Sequence, residues 1–277
     1  GGNLYKVNNQ TIVTTAKDMK IRDVVALMSF NEVSVEPYSY RKQINSIYGA
    51  VNLGWKHMLY FDATLRGDQS STLPISNNMY IYPSFSGSFV FSELLKLGDK
   101  LPYGKVRMSW AQVGSDTDPY QLGLVYTKSK FAYPGYTIGY ISNGTIPNKD
   151  LKPTKTNSFE MGLELKFLKN RIGLDFTYYS QLSKNQIMGM ASSSTSGYGY
   201  RLINAGEIEN KGVEIALNTR PIQTKDFSWD LNFNFSKNSN KVKKLVDDMD
   251  MFELEKATWL DVQVAAKVGE NFGSIVG

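Results

Sequence analysis

The sequence predicts an all-β protein whose antiparallel, meandering strands form part of a large transmembrane β-barrel. Three observations predict it. Segments of roughly ten to twelve residues alternate apolar and polar side chains with period two, the mark of a strand with one apolar face. The connections between those segments alternate short and long. Aromatic residues gather near both ends of the segments.

The segments follow in order from about residue 44. Residues 44–55 put Ile47, Val51, Leu53 and Trp55 on one face. Residues 58–68 set Leu59, Phe61, Ala63 and Leu65 against Tyr60, Asp62, Thr64, Arg66 and Asp68. Residues 80–91 carry Ile81, Phe85, Phe89 and Phe91 against Tyr82, Ser84, Ser86 and Ser88, and 105–113 set Val106, Met108 and Trp110 against Arg107, Ser109 and Ala111. Residues 156–167 oppose Phe159, Met161, Leu163, Leu165 and Phe167 to Ser158, Glu160, Glu164 and Lys166. The most regular stretch, "NRIGLDFTYYSQ" at 170–181, opposes Ile172, Leu174, Phe176 and Tyr178 to Arg171, Asp175, Thr177 and Tyr179. Residues 207–218 carry Val213, Ile215 and Leu217, and 227–236 alternate Phe227, Trp229, Leu231, Phe233 and Phe235 with small polar residues. Residues 1–43 are less regular and read as further barrel strand and loop; within them "VVALMSFNEVS" reads as a strand.

The connections are "KH", a loop at 69–79, a compact "SELLKLGDKLPYG", a loop at 114–155, "LKN", a loop at 183–206, "TRPIQTKD" and a long stretch from 239. With antiparallel neighbours, every short link falls at one end and every long one at the other. A soluble sandwich has no reason to sort its loops so; an outer-membrane barrel, with short periplasmic turns and long external loops, does. Trp55, Phe167, Phe227 and Trp229 lie by the short turns, and Tyr80, Tyr82, Tyr178 and Tyr179 by the long loops, where aromatic girdles mark the membrane interfaces. The apolar face is then expected to meet lipid, and the polar one, with Tyr60, Asp62, Arg66, Asp68, Arg107, Glu160, Glu164 and Asp175, to line a lumen.

Composition agrees. Of 277 residues, 42% are hydrophobic and 21% charged, which excludes gross disorder, while 17 Tyr, 14 Phe and 23 Gly favour strands and turns over helices. The absence of Cys excludes disulfides and thiolate metal sites. The net charge of +5 is interspersed, and its densest cluster, "KVKK" at 241–244, has no aromatic platform beside it, so it reads as a solvated strand end rather than a nucleic-acid site. No run approaches the ~18 apolar residues of a spanning helix, which does not bear on barrel strands. The opening "GGNLYKVNNQ" lacks an initiator Met and an apolar signal region, so these residues read as a fragment or processed piece.

Chemical motifs are few. His57 is the only histidine and sits in the tightest turn, where a surface role is expected rather than zinc or a catalytic triad. "SDTDPY" places Asp116 and Asp118 at alternate positions, as in a calcium loop, but lacks that loop's glycine and distal glutamate; an Asp-Pro turn is the simpler reading. "RGD" at 66–68 resembles an adhesion tripeptide, yet Arg66 and Asp68 share the polar face with Asp62, as a lumenal charge ladder does. Tyr198 and Tyr200 in "SSSTSGYGY", and Tyr120, Tyr126, Tyr133, Tyr136 and Tyr140 in the 114–155 loop, are candidates to stack on a ligand or meet a partner, or else to pack their loops. Hairpin loops usually take two to five residues and long ones tend to be functional. Hence the loops 69–79, 114–155 and 183–206 are expected to form the ligand and partner face.

Several stretches resemble the SusC-like TonB-dependent outer-membrane transporters: "LYFDATLRGDQSS", "YPSFSGSFVFSE", "KVRMSWAQVGSD", "NKDLKPTKTNSFEMGLELKFLKNRIGLDFTYYS", "NAGEIENKGVEIALN", "FSWDLNFNFSKNSNKV" and "VGENFGSIVG", the last resembling the start of a further strand. The resemblance runs over 44–277 in the family's order. It implies a segment of a multi-pass barrel of about 22 strands, closed by an N-terminal plug. Neither the plug with its TonB-binding segment nor the final strands would fall within these residues. It further implies TonB-dependent import of a nutrient, an oligosaccharide or oligopeptide, beneath a SusD-like surface lipoprotein, with no enzymatic activity and no cofactor. The alternatives are a soluble carbohydrate-binding β-sandwich and an outer-membrane barrel enzyme.

Overall fold

A computed structural model describes residues 1–21, 23–96, 98–124, 126–128, 136, 139–141, 144–246, 249–256 and 262–277. The first strands are β1 (Gly2–Met19), β2 (Phe30–Trp55), β3 (Leu59–Ser70), β4 (Met79–Val90) and β5 (Tyr103–Ser115). Short β6 (Tyr126–Lys128), β7 (Gly139–Ile141) and β8 (Thr145–Ile146) precede the long pair β9 (Thr154–Phe167) and β10 (Ile172–Lys184). Then come β11 (Ile187–Ala191), β12 (Tyr200–Asn204), β13 (Glu207–Gln223), β14 (Ser228–Lys244), β15 (Met251–Lys256), β16 (Gln263–Lys267) and β17 (Ser274–Val276).

Nine strands make one antiparallel sheet in the order β1-β2-β3-β4-β5-β9-β10-β13-β14. From β2 to β14 each strand neighbours the next long strand in the chain, which is a meander. The register carries one parity across the sheet. Trp55, Leu59, Phe89, Val106, Leu163, Phe176, Ile215 and Phe235 form one cross-strand row. Asn52, Asp62, Ser86, Ser109, Glu160, Tyr179, Gly212 and Asn238 form a row of the other parity, so apolar and polar residues part cleanly onto the two faces. Leu53, Leu65, Phe233 and Phe235 are each more than half exposed on the apolar face. Among the described residues no second sheet covers that face, as a sandwich would require. A continuous apolar surface of this extent is stable against lipid, not water.

The short turns fall at one end. Lys56 and His57 take φ of 50° and 55°, the left-handed pair of a tight hairpin whose twist matches its strands. A five-residue helix, α1 (Phe91–Leu95), closes the compact link before β5. The aromatic reading holds for Trp55, Phe167 and Trp229, which share the apolar face near these turns. It fails for Tyr80, Tyr82 and Tyr179. Their register places them on the polar face, and Tyr80 is only 6% exposed, so they belong to no outer lipid girdle.

Two features depart from the expected layout. First, β1 and β2 stay paired up to Met19↔Phe30, whereas β3 ends opposite Ile44. Residues 6–43 therefore project as a two-stranded ribbon beyond the long-loop end. In "VVALMSFNEVS" the strand begins only at Phe30; Leu27–Ser29 is a 3-10 turn at the ribbon's tip. Second, the long connections carry their own structure. Ile203, Ala205, Val242, Leu245, Phe252 and Ala266 form a buried cluster where β12, the outer end of β14, β15 and β16 meet. β17, in "VGENFGSIVG", pairs with β16 in that separate sheet and not with β14.

Candidate functional site

Two regions hold the organised polar chemistry: the polar face of the sheet and the loop cluster at its outer end.

On the polar face, Tyr60, Asp62, Arg66, Asp68, Arg107, Glu160, Glu164 and Asp175 all share one parity. Asp62 accepts from Asn52 Nδ2 at 2.5 Å and Ser86 Oγ at 3.1 Å, linking β2, β3 and β4. Asp68 is buried and takes hydrogen bonds from Arg66 Nε (2.9 Å) and the Tyr82 hydroxyl; Arg66 also donates to Ser46 Oγ at 3.0 Å. The Arg-Gly-Asp tripeptide is thus part of a strand, with its two charges spent on each other. Lys105 lies 3.4 Å from Glu164. A shallow pocket lined by Ser86, Ser88, Lys105, Arg107, Ser109 and Glu160 opens on this face.

Arg107 makes the longest reach. From β5 it crosses β9 and donates from both Nη atoms to the Asp175 carboxylate on β10, at 3.0 and 2.8 Å, and to Thr177 Oγ1 at 2.7 Å. It crosses where Gly162 stands. A Cβ added to Gly162 would lie 2.4 Å from Arg107 Nε. The same arrangement recurs at Gly212, over which Tyr179 reaches Asn238 Oδ1 at 3.2 Å. The glycines are therefore gaps that let one side chain staple three strands. Gly162→Ala is expected to dislodge Arg107. Because both partners are about a third exposed, water screens the pair and the loss should be about 1 kcal/mol. Arg107→Met should cost the same, and the double variant no more than either alone, in urea-unfolding titrations. Additive losses would show that Gly162 has another role.

At the outer end the three long loops are tied together. Leu73, from the 69–79 loop, and Leu151 are buried, and Asn77 Nδ2 reaches the Leu151 carbonyl at 3.5 Å. β8 pairs in parallel with β12 through Tyr200↔Thr145 and Arg201↔Ile146, joining the 114–155 loop to the 183–206 loop. "SSSTSGYGY" is a turn closed by Ser192, Ser193, Thr195 and Ser196 hydroxyls. Asp116 anchors the root of the 114–155 loop: it takes Lys42 Nζ at 2.6 Å, Ser70 Oγ at 2.5 Å and Thr72 Oγ1 at 3.1 Å. These bonds occupy the Asp116 carboxylate from within the protein.

Of the loop tyrosines, Tyr126 and Tyr136 are largely exposed and Tyr200 about half exposed, while Tyr198 is half-buried in the serine turn. The Tyr120 hydroxyl accepts a hydrogen bond from the Arg41 amide at 3.1 Å and so packs its loop against the ribbon. Tyr133 and the side chain of Tyr140 lie outside the described residues.

A sheet with one lipid-facing surface, one charge-networked surface, tight turns at one end and tied loops at the other defines a segment of an outer-membrane β-barrel. The model of the TonB dependent receptor-like β-barrel family matches residues 6–258, and the chain belongs to that family. It is 29% identical, over its whole length, to TonB-dependent receptor P3 of Formosa agariphila. It is 30% identical to TonB-dependent receptor SusC of Bacteroides thetaiotaomicron over 78% of the chain. These alignments span 29% and 22% of the respective relatives, under a third of their length. The fold matches the RagAB peptide transporter structure with a TM-score of 0.84 at 20% identity, covering 97% of this chain and 30% of that one.

Proposed function

We propose that this segment is part of the wall and outer mouth of a TonB-dependent importer, taking up a nutrient of oligosaccharide or oligopeptide size with a SusD-like lipoprotein at its surface. The observation that carries the reading is the polar face, which runs unbroken across the sheet and rises into a mouth where three loops are tied to one another. On this reading Tyr60, Asp62, Arg66, Asp68, Arg107, Glu160, Glu164 and Asp175 line the lumen. The Arg66–Asp68, Arg107–Asp175 and Lys105–Glu164 pairs stiffen the wall and keep their charges from trapping a passing solute. Tyr126, Tyr136, Tyr198 and Tyr200 stand at the mouth for cargo or lipoprotein contact, since flat amphipathic rings serve both. Residues 6–43 carry the polar face outward beyond the wall as a two-stranded ribbon, and TonB would act on the plug from the periplasm. The named relatives are receptors, and one matched fold is a peptide transporter, which supports transport over catalysis.

The test is growth and uptake. A strain lacking the whole receptor should fail on one polymer or peptide mixture in a panel, and complementation should restore it. Uptake by the complemented strain should stop with a protonophore or on loss of TonB. Growth indistinguishable from the parent on every substrate, or uptake indifferent to TonB, sinks the reading.

A further inference from the structure

The ribbon and the wall below it share one face of constant parity, on which the Lys42–Asp116 anchor stands between Tyr40 and Tyr48. Every β1–β2 pair from Gly2↔Ile47 to Met19↔Phe30 keeps the same register, and so does every β2–β3 pair, so no bulge flips the parity. The even-numbered residues of β2 therefore stay on the polar face from the ribbon down to Gly54. On that face stand Tyr38, Tyr40 and Tyr48 of β2, Tyr5 of β1 opposite Ile44, and Tyr60 of β3 opposite Gly54. All five are 36% to 56% exposed. At ~3.3 Å per residue, Tyr38 and Tyr40 lie about 7 Å apart and the row extends for roughly 50 Å, from well outside the membrane into the barrel wall.

Resting on the importer reading, we infer that these five tyrosines form a binding track for a neutral saccharide chain, received at the ribbon and guided along the wall. Sugar rings offer an apolar C–H face and a hydroxyl rim, and the surroundings match both. Thr11 stands directly across from Tyr38, and Asn9 from Tyr40, giving each ring a neutral hydrogen-bonding neighbour. The Tyr60 ring lies against Gly54, where an added Cβ would be 3.5 Å from it, so its other side is the one presented. The charges beside the rings already hold partners: Lys42 holds Asp116, Arg66 holds Asp68, Asp62 holds Asn52 and Ser86, and Glu36 accepts from the Tyr38 hydroxyl. Both cations are taken by carboxylates, so an anionic ligand would have to break an ion pair, whereas a neutral polyhydroxylated one breaks none. Rings spread along a line favour a polymer, because each added sugar unit reaches further platforms.

The test uses the whole receptor purified in detergent and calorimetric titration with neutral oligosaccharides of two to ten units: maltose-, laminaribiose-, xylobiose- and mannobiose-based series. A mixed neutral peptide pool serves as comparison. At least one series should bind, with affinity rising with chain length. Tyr40→Ala and Tyr48→Ala should each weaken the longest member at least ten-fold and the disaccharide little, while Tyr40→Phe and Tyr48→Phe stay within three-fold of wild type. Heat-modifiable gel mobility confirms that every variant is a folded barrel. No saccharide bound by the wild type, equal affinity in the alanine variants, or an effect confined to the peptides would overturn the track. None of these touches the importer reading, which stands or falls on TonB-dependent uptake in cells.

Discussion

Leu163→Arg in the whole receptor is expected to abolish most barrel assembly, whereas Ser109→Arg, on a neighbouring strand but the opposite face, is expected to assemble normally. Leu163 sits in the row with Val106 and Phe176, midway along the apolar side of β9. A guanidinium at that depth of the lipid costs about 2–4 kcal/mol, while the same group on a polar wall stays hydrated. Yield of heat-modifiable barrel on folding into liposomes reads the difference. Nitroxides give the answer without an added charge: one at Phe176 should collide with oxygen dissolved in the bilayer, and one at Asp175 with a water-soluble relaxation agent. Equal accessibility at the two positions would mean that the faces are not divided between lipid and lumen.

That division is why so much of the fold is legible in the sequence. A spanning strand must satisfy lipid on one side and polar groups on the other at every step, so each writes period two into its residues. Strands β3 to β14 of the main sheet are all visible as alternation, and the sorted link lengths give their meander. Where that constraint ends, legibility ends. In the ribbon both faces meet water, so Lys6, Asn8 and Arg41 stand on the apolar parity and Val7 and Val13 on the polar one, and residues 1–43 look irregular. The loop cluster is hidden for a different reason. Its core draws Ile203, Val242, Leu245, Phe252 and Ala266 from separate stretches, and no local pattern announces a contact made across such distances.

The site divides along the same line. The eight charged and aromatic residues of the polar face follow from parity alone. Their partners do not: Arg107 to Asp175 skips a strand, and the only sequence signal is a glycine at 162 amid large residues. Flanking a long loop predicts Tyr80 and Tyr82 at the lipid interface. A proximity rule cannot see parity, and Tyr82 in fact turns inward to Asp68. Asp116 read as a turn residue; its hold on Lys42, Ser70 and Thr72 depends on strands far away in sequence.

That hold should be the main support of the longest loop. The Asp116 carboxylate faces Lys42 with both side chains at least 85% buried, since only 11% and 15% of their surfaces are exposed. It also satisfies Ser70 Oγ and Thr72 Oγ1, whose residues are 0% and 2% exposed. Asp116→Ala takes away the acceptor shared by an ammonium and two hydroxyls, leaving Lys42 the Thr117 carbonyl at 3.4 Å and the hydroxyls only each other at 2.9 Å, and poorly met buried polar groups cost about 1–3 kcal/mol each before water enters. A local loss of roughly 2–3 kcal/mol at the loop's root is therefore expected, with the strands below untouched. Hydrogen exchange should report it at the Ser71 amide, bonded to the Gln43 carbonyl, and at the Thr72 amide, bonded to Ser70 Oγ, both speeding up by about thirty-fold or more. Asp116→Asn keeps an acceptor for the hydroxyls and loses only the charge facing Lys42, so it should fall between. Barrel yield should not change in either variant. If exchange at Ser71 and Thr72 in Asp116→Ala matched wild type, the anchor would lie in the β8–β12 pairing instead.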